Sequence, residues 1–366
     1  MATRKDPVMA IDVDTLQKLR TPMEVAPLDL SWLNLNDGHT YGLRAKPGKR
    51  GLTLDEIEIG PPGEVPEQSD NRSIRVRGSH PRPEAPRVPG SYVGRADVYS
   101  DNARLLYEEA VQRQWSSATD IPWNEIQPLP DDIERAMCQL CTFLTEVEFI
   151  AGDTPGQWLP KINSEHHETK LFLLTQIMDE ARHLDVFRKR AFANGGGLLS
   201  SLPQEGLRVI IEAKDFTEMS AIMHVAAEGF VQSLFRMGEY IGQNDAEKRI
   251  FRMCGQDESR HLGFGVMHLK YVMDNEPWRR EEIHHYLDRV ETTLAPDPTD
   301  DPVSFALFEA LAILMGGGIK NIDSGINMSM QVQKKRVNEY MHRLNVAGLG
   351  DRRERMNPML KQFLDN

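Results

Sequence analysis

The sequence predicts an all-α protein: a four-helix bundle with additional helices, preceded by an extended, proline-rich N-terminal arm. Three observations predict it. From about residue 100 onward apolar residues recur at helical spacing, and no alternating strand pattern appears. Half of the chain's 22 prolines fall within residues 1–95, where they remove backbone donors and break helices. Asp-Glu-x-Arg-His, at 179–183, recurs at 257–261 inside two long helical stretches.

Composition narrows the field before any motif is weighed. The chain has 366 residues, 40% of them hydrophobic and 27% charged, as in water-soluble folded proteins. A net charge of −12 argues against nucleic acid as a partner, since phosphate backbones select basic surfaces. The longest apolar run, FALFEALAILMGGG, is interrupted by Glu309 and too short to cross a bilayer, so no membrane partner is expected. The start, MATRKDPVMAIDVD, lacks the apolar core of a secretory signal. Three cysteines are too few for a disulfide framework and point to the cytoplasm. Cys138 and Cys141 form C-x-x-C, read as two small buried residues on one helical turn.

The elements follow in order. An arm over 1–95, dense in proline at GPPGEVPEQ and SHPRPEAPRVPG, is expected to lie across the bundle or a partner subunit. The helical domain spans 96–350, with helices near 101–115, 129–153, 165–194, 204–241, 245–274, 278–293 and 302–345, and a tail over 351–366. GGG at 195–197 stops a helix, and the glycines of MGGGIK mark a kink or a close helix contact.

Residues three apart share a helical face, so Glu180 with His183, and Glu258 with His261, each present two ligands in one direction. One Glu-x-x-His is weak; two copies on long helices are the signature of a bundle holding two metals, completed by one glutamate from each of two other helices. Antiparallel helices bring residues level when they are equidistant from the turn. Glu228 and Glu258 are equidistant from residue 243, within the turn-forming GQND, and Glu228 lies on a stripe with Ala221, Val225, Val231 and Phe235. Glu239 shares the face, but its midpoint with Glu258 falls inside the next helix. For the other hairpin, Glu146 and Glu148 both place the turn near INSEHH. Helical phase selects Glu148, on a stripe with Ile133, Met137, Cys141, Leu144 and Ala151. Glu146 falls with Asp132, Arg135, Gln139 and Thr142 on a polar stripe facing water. Pro155 should kink or end that helix.

The expected ligand set is therefore Glu148, Glu180, His183, Glu228, Glu258 and His261. Four carboxylates and two imidazoles converging in a core are costly without cations, and oxygen-rich sets of this kind suit iron or manganese better than zinc. Asp179 and Asp257 are placed to accept the second N–H of the histidine on the opposite helix, with Arg182 and Arg260 balancing their charge.

Over residues 130–275 the stretches EFIAGDTP, FLLTQIMDEARHLDVFRKRA, AEGFVQSLF and DESRHLGFGVMHL resemble the ferritin-like diiron-carboxylate superfamily, in its branch of ribonucleotide-reductase small subunits and bacterial monooxygenases. The resemblance implies that the six residues hold two irons, with manganese an alternative in one position, and that the centre reacts with dioxygen. Three positions depart from relatives within that superfamily. Phe187 stands where the reductase subunits carry their radical tyrosine, and Cys254 where arylamine N-oxygenases carry a third metal histidine. Gln232 replaces the hydroxyl residue that assists oxygen activation in the monooxygenases. Gln232 and His224, one turn before Glu228, are candidate catalytic residues; His268 is a core histidine or a substrate contact.

The leading expectation is a diiron oxygenase that hydroxylates, N-oxygenates or desaturates a small organic substrate. A radical-generating or ligand-binding oxidase related to the small subunit, and a ferroxidase, are the alternatives. No nucleotide-binding glycine motif or iron–sulfur cysteine pattern appears, so an external reductase or ferredoxin is expected to supply electrons. A homodimer is the default assembly.

Overall fold

The computed structural model describes residues 14, 31–33, 45–69, 75–79, 92–201, 205–294 and 305–365. Contacts divide the chain into two units, Met1–Arg44 and Ala45–Asn366. In the first, Ser31–Leu33 forms a single 3-10 turn. All other elements described belong to the second unit. The expectation of an arm over 1–13, 15–30, 34–44, 70–74 and 80–91 falls outside the described residues, as do the starts at 204 and 302 expected for two helices.

Among the described residues the longer helices are α1 (Ala103–Gln112), α2 (Asp131–Gly156), α3 (His167–Ala193), α4 (Glu205–Ile211), α5, α6 (Asp245–Asn275), α7 (Arg280–Leu294), α8 (Ala306–Gly316) and α9 (Ile322–Val346). Helix α5 is composite: Phe216–Met219 is α-helical, Ser220–Ala227 is a π-helix, and Glu228–Ile241 is α-helical again. The described residues contain isolated β-bridges but no strand. Helices α2, α3, α5 and α6 form the four-helix bundle.

Both bundle hairpins turn where the glutamate midpoints required. Asn163 accepts the Glu165 amide and opens the 3-10 turn Ser164–His166 ahead of α3. Asn244 accepts the Glu247 amide at 2.9 Å and starts α6, satisfying a donor that the first helical turn leaves open. Pro155 lies in the last turn of α2, which ends one residue later.

Two long helices read from the sequence are each divided. The stretch 204–241 breaks after Ile211 because extended Asp215 caps a new start, its carboxylate accepting the Glu218 amide at 2.8 Å. The stretch 302–345 becomes α8 and α9 rather than one kinked helix. Gly317 takes a left-handed φ of 71° that only glycine adopts freely, and the chain folds back through Ile319–Asn321. The close helix contact lies further on, at Gly325, where a Cβ would stand 1.8 Å from the Ala312 carbonyl oxygen.

Parts of the proline-rich stretch within the second unit are tied to the helices. The Leu54 amide donates to Glu108 of α1 at 2.8 Å, Ser69 Oγ donates to Glu165 at 2.7 Å, and Arg77 bonds Glu168 at the start of α3. Beyond residue 350, buried Arg352 bonds both oxygens of Glu291 on α7, at 2.9 and 2.8 Å.

The apolar core forms two clusters, and the bundle helices serve both. Phe172 and Leu173 of α3, Val225 and Ala226 of α5, and Leu262 and Phe264 of α6 belong to one. Val186 and Phe187, Val231 and Phe235, and Ile250 and Cys254 of the same helices belong to the other, with Leu144 and Val147 of α2. The switch between clusters falls on each helix at its predicted ligand residues.

Candidate metal centre

Each ligand candidate comes from a helix whose phase turns it inward. Glu148, Glu180, His183, Glu228, Glu258 and His261 are all buried, none more than 4% exposed. Their donor atoms converge in two groups, each within 4.8 Å: Glu148, Glu180, His183 and Glu258, then Glu180, Glu228, Glu258 and His261. Glu180 and Glu258 belong to both. Glu148, not Glu146, reaches the cluster, as the phase argument required. The polar stripe is not fully wet, however. Gln139 and Thr142 are buried, Gln139 Nε2 donating to the Ser200 carbonyl at 2.9 Å and Thr142 accepting the Leu199 amide at 2.8 Å.

The histidines show which nitrogen faces which partner. His183 Nδ1 lies 3.1 Å from Glu180 and 3.2 Å from Glu258; His261 Nδ1 lies 2.9 Å from Glu180 and 3.5 Å from Glu258. The Nε2 atoms point the other way and cross between helices: His183 to Asp257 at 3.2 Å, His261 to Asp179 at 3.3 Å. Arg260 donates to Asp179 at 2.7 Å and Asp257 at 2.5 Å, and Arg182 donates to Asp257 at 3.1 Å and also to Asp179. Each aspartate thus serves the histidine of the opposite helix, and the two arginines offset their charge.

No protein-family model matches this chain, and no curated protein does. Among solved structures it is similar to an R2-like ligand-binding oxidase, a valine-to-leucine mutant with aerobically reconstituted Mn/Fe cofactor. The TM-score is 0.50 at 17% identity, over 66% of this chain and 92% of that one. A valine-to-alanine mutant with anaerobically reconstituted Mn/Fe cofactor aligns at TM-score 0.48 and 16% identity, over 66% and 92%.

The fold is ferritin-like.

Within this ferritin-like bundle the residues fit a pair of cations. Among the described residues Glu148 Oε1, Glu180 Oε1, Glu228 Oε2, Glu258 Oε2 and His261 Nδ1 are buried without a hydrogen-bond partner, although they lie close to one another. Lone pairs facing a common centre are costly in a dry core and are relieved by positive charge. Protons would relieve them in part: burial, then the neighbouring Glu180, holds Glu148 well above the usual carboxylate range, and burial likewise raises Glu228. Burial opposes charge on the histidines. Even so, contacts with Cys254, Asp257 and Glu180 raise His183, and contacts with Glu180, Asp179 and Glu258 raise His261. A third convergent group, Glu58, His167 and Glu168, already has its cation: Arg77 lies 3.2 Å from Glu58 and bonds Glu168.

The remaining candidates lie outside the ligand groups. Gln232 is engaged elsewhere, donating to Ser259 Oγ at 3.2 Å and accepting from Arg343 at 3.4 Å. His224 is linked to the cluster through another residue. Its Nε2 lies 3.1 Å from Gln176 Oε1, Gln176 Nε2 donates to Glu228 Oε1 at 2.8 Å, and Ser220 lies 3.0 Å from His224 Nδ1. Burial holds His224 well below its usual value, so the ring is neutral. His268 is a satisfied core histidine, bonded to the Tyr99 carbonyl at 2.8 Å and Thr217 at 3.1 Å and lowered by burial to about 4. Phe187 packs on Phe235 and Phe251. Cys254 is fully buried beside His183, and burial raises its thiol.

Sequence reasoning missed Gln176 and Trp115. Gln176 could have been found, since it sits one turn before Glu180 on the same face. Trp115, whose Nε1 donates to Asp257 at 2.7 Å, follows α1 and carries no local signal of its position.

Proposed function

We propose that this protein is a dimetal-dependent oxygenase, holding two irons, or one iron and one manganese, and using dioxygen to oxidise a small organic substrate. The observation that carries the reading is a small cavity of about 20 Å³ against Glu148, Glu228 and Glu258, otherwise lined by Val147, Ala151, Ile210, Met223, Ala227 and Val231. Its size suits a water- or dioxygen-sized guest, and its walls are apolar. Glu148, Glu180, His183 and Glu258 would hold one metal, and Glu180, Glu228, Glu258 and His261 the other. When bound, the pair supplies redox equivalents and Lewis acidity toward dioxygen.

The chain's own residues set the conditions. Asp179 and Asp257 fix the histidine tautomers so that Nδ1 faces inward. Gln176 orients Glu228 beside the cavity, and neutral His224 orients Gln176. The two apolar clusters exclude water from the reacting face. Ile210 of α4 contributes to the cavity wall. Inserting one oxygen atom and releasing the other as water takes two electrons and two protons. A separate reductase or ferredoxin supplies the electrons. A homodimer in the cytoplasm is the expected setting, consistent with three free, buried cysteines.

A radical-generating role is disfavoured because Phe187 carries no hydroxyl and packs on phenylalanine rings. None of the stretches 143–152, 173–187, 221–235 and 254–268 contains a tyrosine, and Tyr240 lies about 18 Å along the helix from Glu228. The test is to load the protein with iron(II) anaerobically, admit dioxygen, and record optical and spin-resonance spectra with and without candidate substrates. Substrate-dependent oxygen consumption without a tyrosyl radical is expected. A stable tyrosyl radical in high yield revives the radical-subunit reading. Iron oxidation that continues with no substrate at all points to a ferroxidase.

A further inference from the structure

Helices α5 and α9 border a groove of about 680 Å³, which shares Arg236, Lys335 and Glu339 with a second hollow of about 310 Å³. On a chain of net charge −12 this groove is cationic. Arg236, Lys334, Lys335, Arg336 and Arg343 line it, against three carboxylates.

Those carboxylates do not satisfy the cations. Glu239 is paired with Arg252, which does not line the groove, at 2.7 Å. Asp365 is taken by Lys334 at 2.8 Å. Glu339 remains and is shared three ways, 3.3 Å from Arg236, 3.6 Å from Arg343 and 3.9 Å from Lys335, while also accepting Ser233 Oγ at 2.6 Å. Among the described residues Arg336 reaches Gln333, at 3.4 Å, and the face of Phe230, and its Nε is buried without a hydrogen-bond partner there. Burial lowers Arg336 and Arg343 to about 10, which leaves both charged at neutral pH. Met237, Tyr240 and Val332 give the second hollow an apolar end.

We propose that this groove binds a small organic phosphate, its dianionic head between Arg236 and Lys335 and its body along Met237, Tyr240 and Val332. Forked guanidinium donors match phosphate oxygens, and a dianion answers a surplus of cations better than a single carboxylate does. The volume is that of a small-molecule site. None of the residues lining it is a candidate metal ligand.

The experiment is calorimetric titration of the full chain with phenyl phosphate at low salt, with benzoate and phosphatidic-acid vesicles as separate arms. A dissociation constant below about 1 mM for phenyl phosphate is expected. It should weaken at least about tenfold in the Arg236→Ala/Lys335→Ala double variant. Both side chains are largely exposed, at 52% and 66%, so the fold should tolerate their loss. No binding by phenyl phosphate, equal binding by benzoate, binding unchanged in the double variant, or capture by vesicles alone would each overturn the proposal.

Discussion

Gln176 Nε2 donates to Glu228 Oε1 at 2.8 Å, while the other oxygen of the same carboxylate is buried with no partner. One oxygen is thus tethered and the other left facing the cluster. Gln176→Leu should release the tether and strand His224, which relies on the same amide. The expected outcome is a folded protein whose affinity for the Glu228-side metal falls about 10- to 100-fold. Competition with a chelator of known affinity measures this, and an unchanged affinity refutes the tethering role.

Metal counting separates the two groups. Glu148 belongs to one and Glu228 to the other, whereas Glu180 and Glu258 belong to both. Glu148→Ala and Glu228→Ala should each retain one metal of two, Glu258→Ala should lose at least one, and Glu146→Ala should keep both. Elemental analysis of iron-loaded protein reads the result. A single zinc per chain in all variants would sink the assignment.

The pH dependence follows from four groups held high. Glu148 and Glu228 lie above 4.5 in the fold, and His183 and His261 above 6.5. Groups with raised values stabilise the fold below their unfolded pKa, and that contribution is lost as pH rises through the folded value. The metal-free chain should therefore weaken with rising pH, whereas metals need these same groups deprotonated. The gap in Tm between iron-loaded and chelator-treated protein is expected to be wider at pH 8 than at pH 6. A gap that stays constant or narrows contradicts the reading.

Arg190 ties α2, α3 and α6 together. It is 1% exposed and donates to Glu134 at 2.8 and 3.0 Å and to Glu247 at 2.7 Å. Arg190→Ala would leave two buried carboxylates uncompensated and should cost about 3–5 kcal/mol in urea unfolding. Burial opposes the ionised form of Glu134, but Arg190 and Asn194 hold its pKa below 4.5. Its contribution is present above pH 4.5 and lost as pH falls through the lowered value, so the variant's deficit should shrink in acid. A loss under about 1 kcal/mol at neutral pH would show the pairs to be dispensable.

Much of the centre is legible in the order of the amino acids. Helical spacing is enough to pair Glu180 with His183 and Glu258 with His261, because i and i+3 fix a direction on a rigid element. Midpoint and phase select Glu228 and Glu148 for the same reason. The crossed aspartates follow from the repeat. What stays hidden in the sequence depends on contacts distant along the chain or on local exceptions to the helix. Asp215 interrupts a stretch whose apolar spacing continues across it, and a π-helical segment through His224 leaves no mark on composition. Gln232 sits at the expected position, yet Ser259 and Arg343 claim its amide, and Arg343 arrives from 111 residues away.

The two apolar clusters meet at the level of the charged residues, and that gives the bundle a waist. Hydrophobic contacts hold each end, but the waist is built of buried ionisable groups, several with unanswered lone pairs. Bound metals there would act as rivets between two otherwise self-sufficient ends. Stripped of them, the bundle should breathe first at its middle, the reverse of the fraying from the ends that helices ordinarily show. Backbone amides around Glu148, Glu180, Glu228 and Glu258 would then exchange with solvent sooner than those of either core, so the region proposed to hold the metals would also report whether the protein is loaded.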